Sequence, residues 1–220
     1  MARPKQNLYG QEMGTKGLQK REKIIKTTAE LLVSRPLREI KVADIAKSGG
    51  FSTSTFYLYF ETVNDAALAA IEQVNQSSQE IMDLLDEEWT FQGLLANCRK
   101  LIAAYFAIWD ENQALLRVRN FMADEGDRRF IDARRRSIES IHLALQDKCR
   151  TLQVELDESN RLDPASTASV LLAALERTAQ IVRLPSAHRT TRPRMVESLA
   201  YLLAAGLCGA AMNIDGVGEG

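Results

Sequence analysis

Cysteine is scarce in this chain, and what there is does not pair. Cys98, Cys149 and Cys208 are three in number and far apart, which supports neither a disulfide framework nor a Cys-x-x-Cys metal pair. Histidine is scarcer still, with only His142 and His188, so a zinc site has few ligands to draw on. We therefore expect no metal and read the thiols as packing residues. No apolar run approaches the ~20 residues that span a bilayer, and no apolar core follows Arg3 and Lys5 to make a signal peptide. The expectation is a cytoplasmic protein with no membrane partner. Also missing are a Gly-rich phosphate loop, a GxSxG elbow, an HExxH pair and a nucleophile beside a base. Without them there are no catalytic residues to nominate, no cofactor is implied, and an enzyme is not expected. Aromatics make up 6% of the residues, while Ala and Leu abound, which favours helices over sandwiches.

What is present is an asymmetry hidden by a net charge of −1. Residues 1–60 hold eleven Lys or Arg against five Asp or Glu, and residues 61–220 hold seventeen against twenty-four. A basic end on an acidic body suggests that the first 60 residues meet a polyanion. Residues 1–15 lack apolar periodicity and carry Pro4, Gly10 and Gly14, which reads as a mobile basic arm. Helix is expected from about Lys16, with Ile24, Ile25, Thr28, Ala29, Leu31 and Leu32 on one face, and Pro36 ends it by Arg35. Short helices follow over Val42–Ser48 and Thr53–Phe60, with Gly49 and Gly50 as the turn and Ser52 as a cap. A fourth helix, capped at Thr62 or Asn64, should reach about Asp86. Thr90–Trp109, Asn112–Ala123 and Asp127–Leu152 read as three more, then Glu158–Asp163 as a polar break. Asp163-Pro164 starts a helix to about Leu184. Pro185 and the Thr190–Pro193 stretch interrupt it before a last one over Arg194–Met212. With no strand-like alternation, the fold class is all-α, with about nine helices.

The informative stretch is Val42-Ala-Asp-Ile-Ala-Lys-Ser-Gly-Gly-Phe-Ser-Thr-Ser-Thr-Phe-Tyr-Leu-Tyr-Phe60. Two short helices joined by a Gly turn are what a helix-turn-helix requires. Ile45, Ala46, Phe51, Phe56 and Phe60 would knit the unit onto the first helix. Opposite them stand Thr53, Ser54, Thr55, Tyr57, Leu58 and Tyr59, hydroxyls and aromatics suited to a major groove. Residues 21–68 resemble the DNA-binding domain of the TetR family. The match lies in Ile45-Ala46, Gly50, Ser52, Thr55-Phe56-Tyr57 and Tyr59-Phe60, with Asp44 in a commonly acidic position. The resemblance implies an N-terminal three-helix helix-turn-helix domain over 16–62 and a C-terminal helical bundle over 63–214 for effector binding and dimerisation. It also implies a homodimer on palindromic double-stranded operator DNA, acting as a repressor that a small apolar or amphipathic effector releases. The alternative is a ligand- or partner-binding homodimer of the same fold that has lost operator binding.

By the resemblance Tyr57 meets a backbone phosphate, and Lys41, Val42, Lys47, Thr53, Ser54, Thr55, Leu58 and Tyr59 lie near DNA. Tyr59 is equally readable as a packed ring with a surface hydroxyl. Three positions depart from the family pattern: Pro36 stands for Gly, Lys41 for a capping Thr or Ser, and Val63 for Lys. The recognition helix itself carries no basic residue, so phosphate attraction falls to Arg38, Lys41, Lys47 and the arm. In the C-terminal body Cys98, Ile102, Tyr105, Trp109, Phe121, Met122 and His142 are candidates to line an effector cavity, each with ordinary core as the plainer reading. His142, among Ile138, Ile141 and Leu145, reads as a satisfied structural histidine. The run Arg134-Arg135-Arg136 points three ways round a helix, as a solvated face does. The resemblance places the dimer interface on the last two helices, where Leu171, Leu175, Ala179, Leu199, Leu203 and Gly206 form the apolar stripes. The same stripes suit burial inside one protomer.

Overall fold

A computed structural model describes residues 6–75, 79–182 and 190–209. Within them lie nine α-helices and no strand beyond one isolated bridge between Gln6 and Glu12. The helices are α1 Thr15–Ser34, α2 Val42–Gly49, α3 Thr53–Tyr57, α4 Val63–Asn75, α5 Gln79–Asp86, α6 Leu94–Asp124, α7 Arg128–Leu152, α8 Pro164–Ile181 and α9 Arg192–Cys208. The all-α expectation is met. By compactness the chain forms two units, Met1–Ser77 with Asn112–Arg136, and Ser78–Glu111 with Ser137–Gly220.

The local signals explain most boundaries. α1 stops at Arg35, whose extended backbone (φ −137°, ψ 139°) is what a following proline demands. Ser52 caps α3 by accepting the Thr55 N–H at 3.1 Å. Thr62 and Asp65 cap α4 reciprocally: the Asp65 N–H donates to the Thr62 hydroxyl at 3.2 Å, and the Thr62 N–H donates to the Asp65 carboxylate at 2.9 Å. Asp163 accepts the Ser166 N–H at 2.8 Å, with Pro164 opening α8.

The break expected between Thr90–Trp109 and Asn112–Ala123 is present: α6 starts later, at Leu94, and Asn112 leaves the helical region (φ −121°, ψ 21°), so that the span is two helices joined across a kink. Three expectations need correction, at the end of α3, the start of α9 and the arm. α3 ends at Tyr57 rather than Phe60. α9 begins at Arg192 rather than Arg194, since Pro193 falls in the first turn, where a missing N–H costs nothing. The arm is also folded in its described part: the Asn7 carboxamide oxygen accepts the Tyr9 and Gln11 N–H groups, each at 3.0 Å, making a side-chain-pinned turn with Gly10 at φ 75°. The helix expected from Thr62 or Asn64 to Asp86 is described as α4 and α5, and residues 76–78 lie outside the described residues. So do Leu184, Pro185, His188 and Met212.

In the first unit α1 packs on α2 and α4, and α2 on α3. Its core holds Ile24, Ile25, Ile45, Phe56 and Ile71, all fully enclosed. The expected inward set of the helix-turn-helix is therefore correct for Ile45, Ala46, Phe56 and Phe60, while Phe51 is half-buried. α6 beyond Asn112 and the start of α7 belong to this unit. Here Arg129 pairs with Asp65 of α4 at 2.8 Å, and Arg136 pairs with Glu72. Arg134 meets Asp124 at 2.9 Å and Arg135 meets Asp132 at 3.4 Å. The Arg134–Arg136 run does point three ways, but onto carboxylates rather than water alone.

Candidate nucleic-acid interface

The turn between α2 and α3 depends on two glycines for different reasons. Gly50 takes φ +66°, a left-handed conformation that strains any side chain. Gly49 is helical, but a Cβ there would lie 2.1 Å from the Phe51 ring. The Phe51 N–H then donates back to the Ala46 carbonyl at 3.0 Å and closes the end of α2. α3 is thereby held off α2 with its buried face fixed by Phe56, whose ring lies 5.9 Å from that of Phe60. The Arg21 guanidinium covers Phe60 at 5.0 Å.

This anchoring decides which side chains face out. Thr53 and Ser54 are exposed, Tyr57 is 47% exposed and Leu58 38%. Tyr57 meets Phe56 edge-on at 5.6 Å, which holds its ring against the core while its hydroxyl stays outside. Thr55 is half-buried, and its hydroxyl lies 2.9 Å from that of Ser52. Tyr59 is half-buried too, and its hydroxyl lies 3.7 Å from the position a Cβ on Gly17 would take. A half-buried ring fits either of its two readings. On α2, Lys41 and Lys47 are exposed and Val42 half-buried.

The substitution at Lys41 has a local account. A lysine cannot accept the N–H groups that a Ser or Thr cap would take. The Asp44 N–H donates instead to the Lys41 carbonyl at 2.9 Å, while the Asp44 carboxylate accepts the Lys41 N–H at 2.9 Å. Arg35 donates to the same carboxylate at 3.3 Å and to the Glu39 carbonyl at 2.7 Å. The Lys41 N–H, then Arg35, hold the Asp44 carboxyl below the usual range against the opposing effect of burial. The helix start is satisfied without a hydroxyl, and the Lys41 ammonium is left in solvent. Val63 opens α4 half-buried, where a cation would sit at a positive helix end.

Cys98, Ile102, Tyr105 and Trp109 share one buried stripe of α6. Burial, with a smaller push from Cys208, raises the Cys98 thiol to about 12, and burial raises Cys149. Both thiols are packing groups, as expected. Phe121 and Met122 belong to the other unit, and Phe121 is exposed. His142 is satisfied: Gln146 donates to its Nδ1 at 2.8 Å, and its Nε2–H faces the Ala165 carbonyl at 3.2 Å and the Ser169 hydroxyl at 3.0 Å.

The stripe assigned to the dimer interface is packed inside the protomer. Leu171, Leu175, Ala179, Leu199 and Leu203 are buried within the single chain. Gly206 packs there as well, since a Cβ on it would lie 3.0 Å from Leu171. These residues join α8 to α9. The faces they leave outward carry Val170 (64% exposed), Tyr201 and Leu202 (49%), which sequence reasoning missed. Between α8 and α9 opens a groove of about 450 Å³ lined by Ala174, Thr178, Arg194, Met195, Ser198 and Leu202 among others.

Among the described residues no helix is long and apolar enough to cross a membrane, and no three His, Cys, Asp or Glu form a cluster able to hold a metal. Together the elements define a helical protein with a helix-turn-helix at its N-terminal end. A family model described as the tetracyclin repressor-like C-terminal domain matches residues 81–213. The chain belongs to the TetR family of transcriptional regulators. It is 41% identical over 68 residues to the HTH-type transcriptional regulator EthR of Mycobacterium tuberculosis, covering 30% of this chain and 32% of that protein. The chain thus spans about a third of the length of that relative. The nucleoid occlusion factor SlmA of Shewanella pealeana is 27% identical over 169 residues, 76% of this chain and 84% of that one. Among solved structures, the transcriptional regulator FadR of Bacillus subtilis, in complex with stearoyl-CoA, superposes with a TM-score of 0.65 at 17% identity, covering 84% and 98% of the two chains.

Proposed function

We propose that the protein is a ligand-responsive repressor that binds palindromic operator DNA as a homodimer in the cytoplasm, with residues 16–62 reading DNA and 63–214 binding an effector and dimerising. The observation that carries this reading is the outward face of α3. Thr53, Ser54, Tyr57 and Leu58 face solvent while Phe56 and Phe60 lock the opposite side, so neutral donors and one apolar contact are offered to a groove. Lys41 and Lys47 stand exposed on α2 to meet phosphates. The dimer would use the outward faces of α8 and α9 at Val170, Tyr201 and Leu202. The effector is a small apolar or amphipathic molecule. A fold that holds stearoyl-CoA in the FadR of Bacillus subtilis is compatible with that class. Loss of operator binding, the rival expectation, has no support in an α3 face this complete.

The test is selection of duplexes from a randomised pool by the wild-type protein, followed by mobility shifts on the enriched sequence. Enrichment of a two-fold symmetric site is expected. Tyr57→Ala should weaken every duplex about equally, by ~1–2 kcal/mol, with folding unchanged. A pool that enriches nothing at low salt would sink the reading.

A further inference from the structure

The proposed reading surface does not end with α3. Leu58, which caps that helix, accepts a hydrogen bond at its carbonyl from the Leu8 N–H at 3.1 Å. A carbonyl that a short exposed helix would otherwise leave to water is used to hold a distant piece of chain.

That piece is pinned. The Asn7 side chain accepts from the Tyr9 and Gln11 N–H groups and donates to the Gln11 side chain, each at 3.0 Å. The Asn7 N–H donates to the Gln11 carbonyl, and the Gly10 N–H to the Asn7 carbonyl, both at 3.0 Å. The next residue after the tethered Leu8 is Tyr9, 70% exposed. One Cα–Cα step places the Tyr9 Cα within about 8 Å of the Leu58 carbonyl. Leu8, Tyr9, Tyr57 and Leu58 are all large apolar side chains exposed around one helix end.

We propose that the turn over residues 6–12 is part of the DNA-reading surface, with the Tyr9 phenol donating to a backbone phosphate in each half-site beside the one met by Tyr57. The inference rests on the proposed DNA-binding function. Duplex DNA is the occupant the chemistry favours. The patch is continuous with the outward face of α3, and its polar ends are phenol donors. Neither α3 nor the start of α4 at Val63 supplies a cation, so neutral donors must do the positioning there. A turn fixed by its own side chains brings Tyr9 to the backbone with little ordering left to do.

The probe is the duplex that wild-type protein enriches from a randomised pool, and the measurement is phosphate-ethylation interference together with affinity. Tyr9→Phe removes only the hydroxyl. It should abolish interference at one phosphate per half-site and weaken binding about three- to tenfold. Asn7→Ala, which unpins the turn, should lose the same phosphate although Tyr9 is intact. Tyr57→Phe should lose a different one. If Tyr57→Phe loses its phosphate while Tyr9→Phe and Asn7→Ala keep the wild-type pattern, the inference fails and DNA binding stands. Tighter binding by either turn variant would also overturn it, since the turn would then be covering α3. A wild-type protein that enriches no duplex removes the inference together with the function it rests on.

Discussion

At Lys41 two demands meet on one residue. A helix start asks for a short acceptor side chain, and a surface beside DNA asks for a cation. This chain meets the first through Asp44 and its backbone, and in the proposed reading the lysine is left to meet the second. Lys41→Thr should therefore move two measurements in opposite directions. An added cap acceptor should raise the urea midpoint, corresponding to about 0.5–1 kcal/mol. Loss of the cation should flatten the salt dependence of DNA affinity by ~1 unit per half-site. Val63→Lys should do the reverse, tightening binding most at low salt while leaving sequence preference intact. Identical salt slopes for all three proteins would show that neither position touches the backbone. Asp44 carries a pH signature of its own. Its carboxyl titrates below the usual range because it accepts from Lys41 and Arg35. The stability this lends is fully present above the unfolded carboxyl pKa and is lost as pH falls through the lower folded one. Asp44→Asn keeps an acceptor but no charge. It should be less stable than wild type near neutrality, with the gap closing below about pH 4. A gap that persists in acid would mean that shape, not charge, explains the residue.

At the scale of the element, what the chain reveals in advance is what is local. Pro36, Ser52, Thr62 and Asp163-Pro164 each mark a helix boundary within three residues of itself, and the structure has each boundary where those signals put it. The turn at residues 6–12 is also local, and an Asn followed by Gly three residues later was its signal, missed because no apolar run flanks it. The break at Asn112 is legible as well, since the apolar periodicity weakens where the backbone leaves the helical region. Tertiary hydrogen bonds left no trace in sequence at all. Gln153, just past α7, is buried, accepts the Leu162 N–H at 2.8 Å, and donates to the Leu207 carbonyl at 3.1 Å and the Cys149 sulfur at 2.9 Å. It thereby fixes the C-terminal end of α9, where Gly209 turns at φ 60° against the Gln153 side chain. Gln153→Leu keeps the bulk but strands a buried donor and an acceptor. It should lower unfolding free energy by about 2–4 kcal/mol, read as a drop in urea midpoint. An unchanged midpoint would show that other groups take up those bonds.

For the whole molecule the proposed dimer raises the question of which face of α8 and α9 would meet a second copy. Both helices are apolar around much of their circumference, so periodicity shows that a stripe exists without saying whose surface covers it. Five of the six residues assigned to the interface are buried in their own chain, and Gly206 packs on Leu171 beside them. Leu203 is 0% exposed, while its neighbours Tyr201 and Leu202 are 59% and 49% exposed. One position along the helix therefore separates two outcomes. Leu203→Glu buries an unpaired charge inside the protomer, and should cost about 3–5 kcal/mol of stability at any protein concentration. Leu202→Glu, and equally Val170→Glu, puts the charge on the outward face. Each should leave the helical content and the monomer fold intact, yet turn the sedimenting species from dimer to monomer. Tight operator binding should go with the dimer, because a palindrome is read by two recognition helices related by a two-fold axis. Sedimentation velocity and circular dichroism on the three variants decide the matter together. A Leu202→Glu protein that still sediments as a dimer, or a wild type that is monomeric at micromolar concentration, would remove α8 and α9 from the interface and the two-fold reading with them.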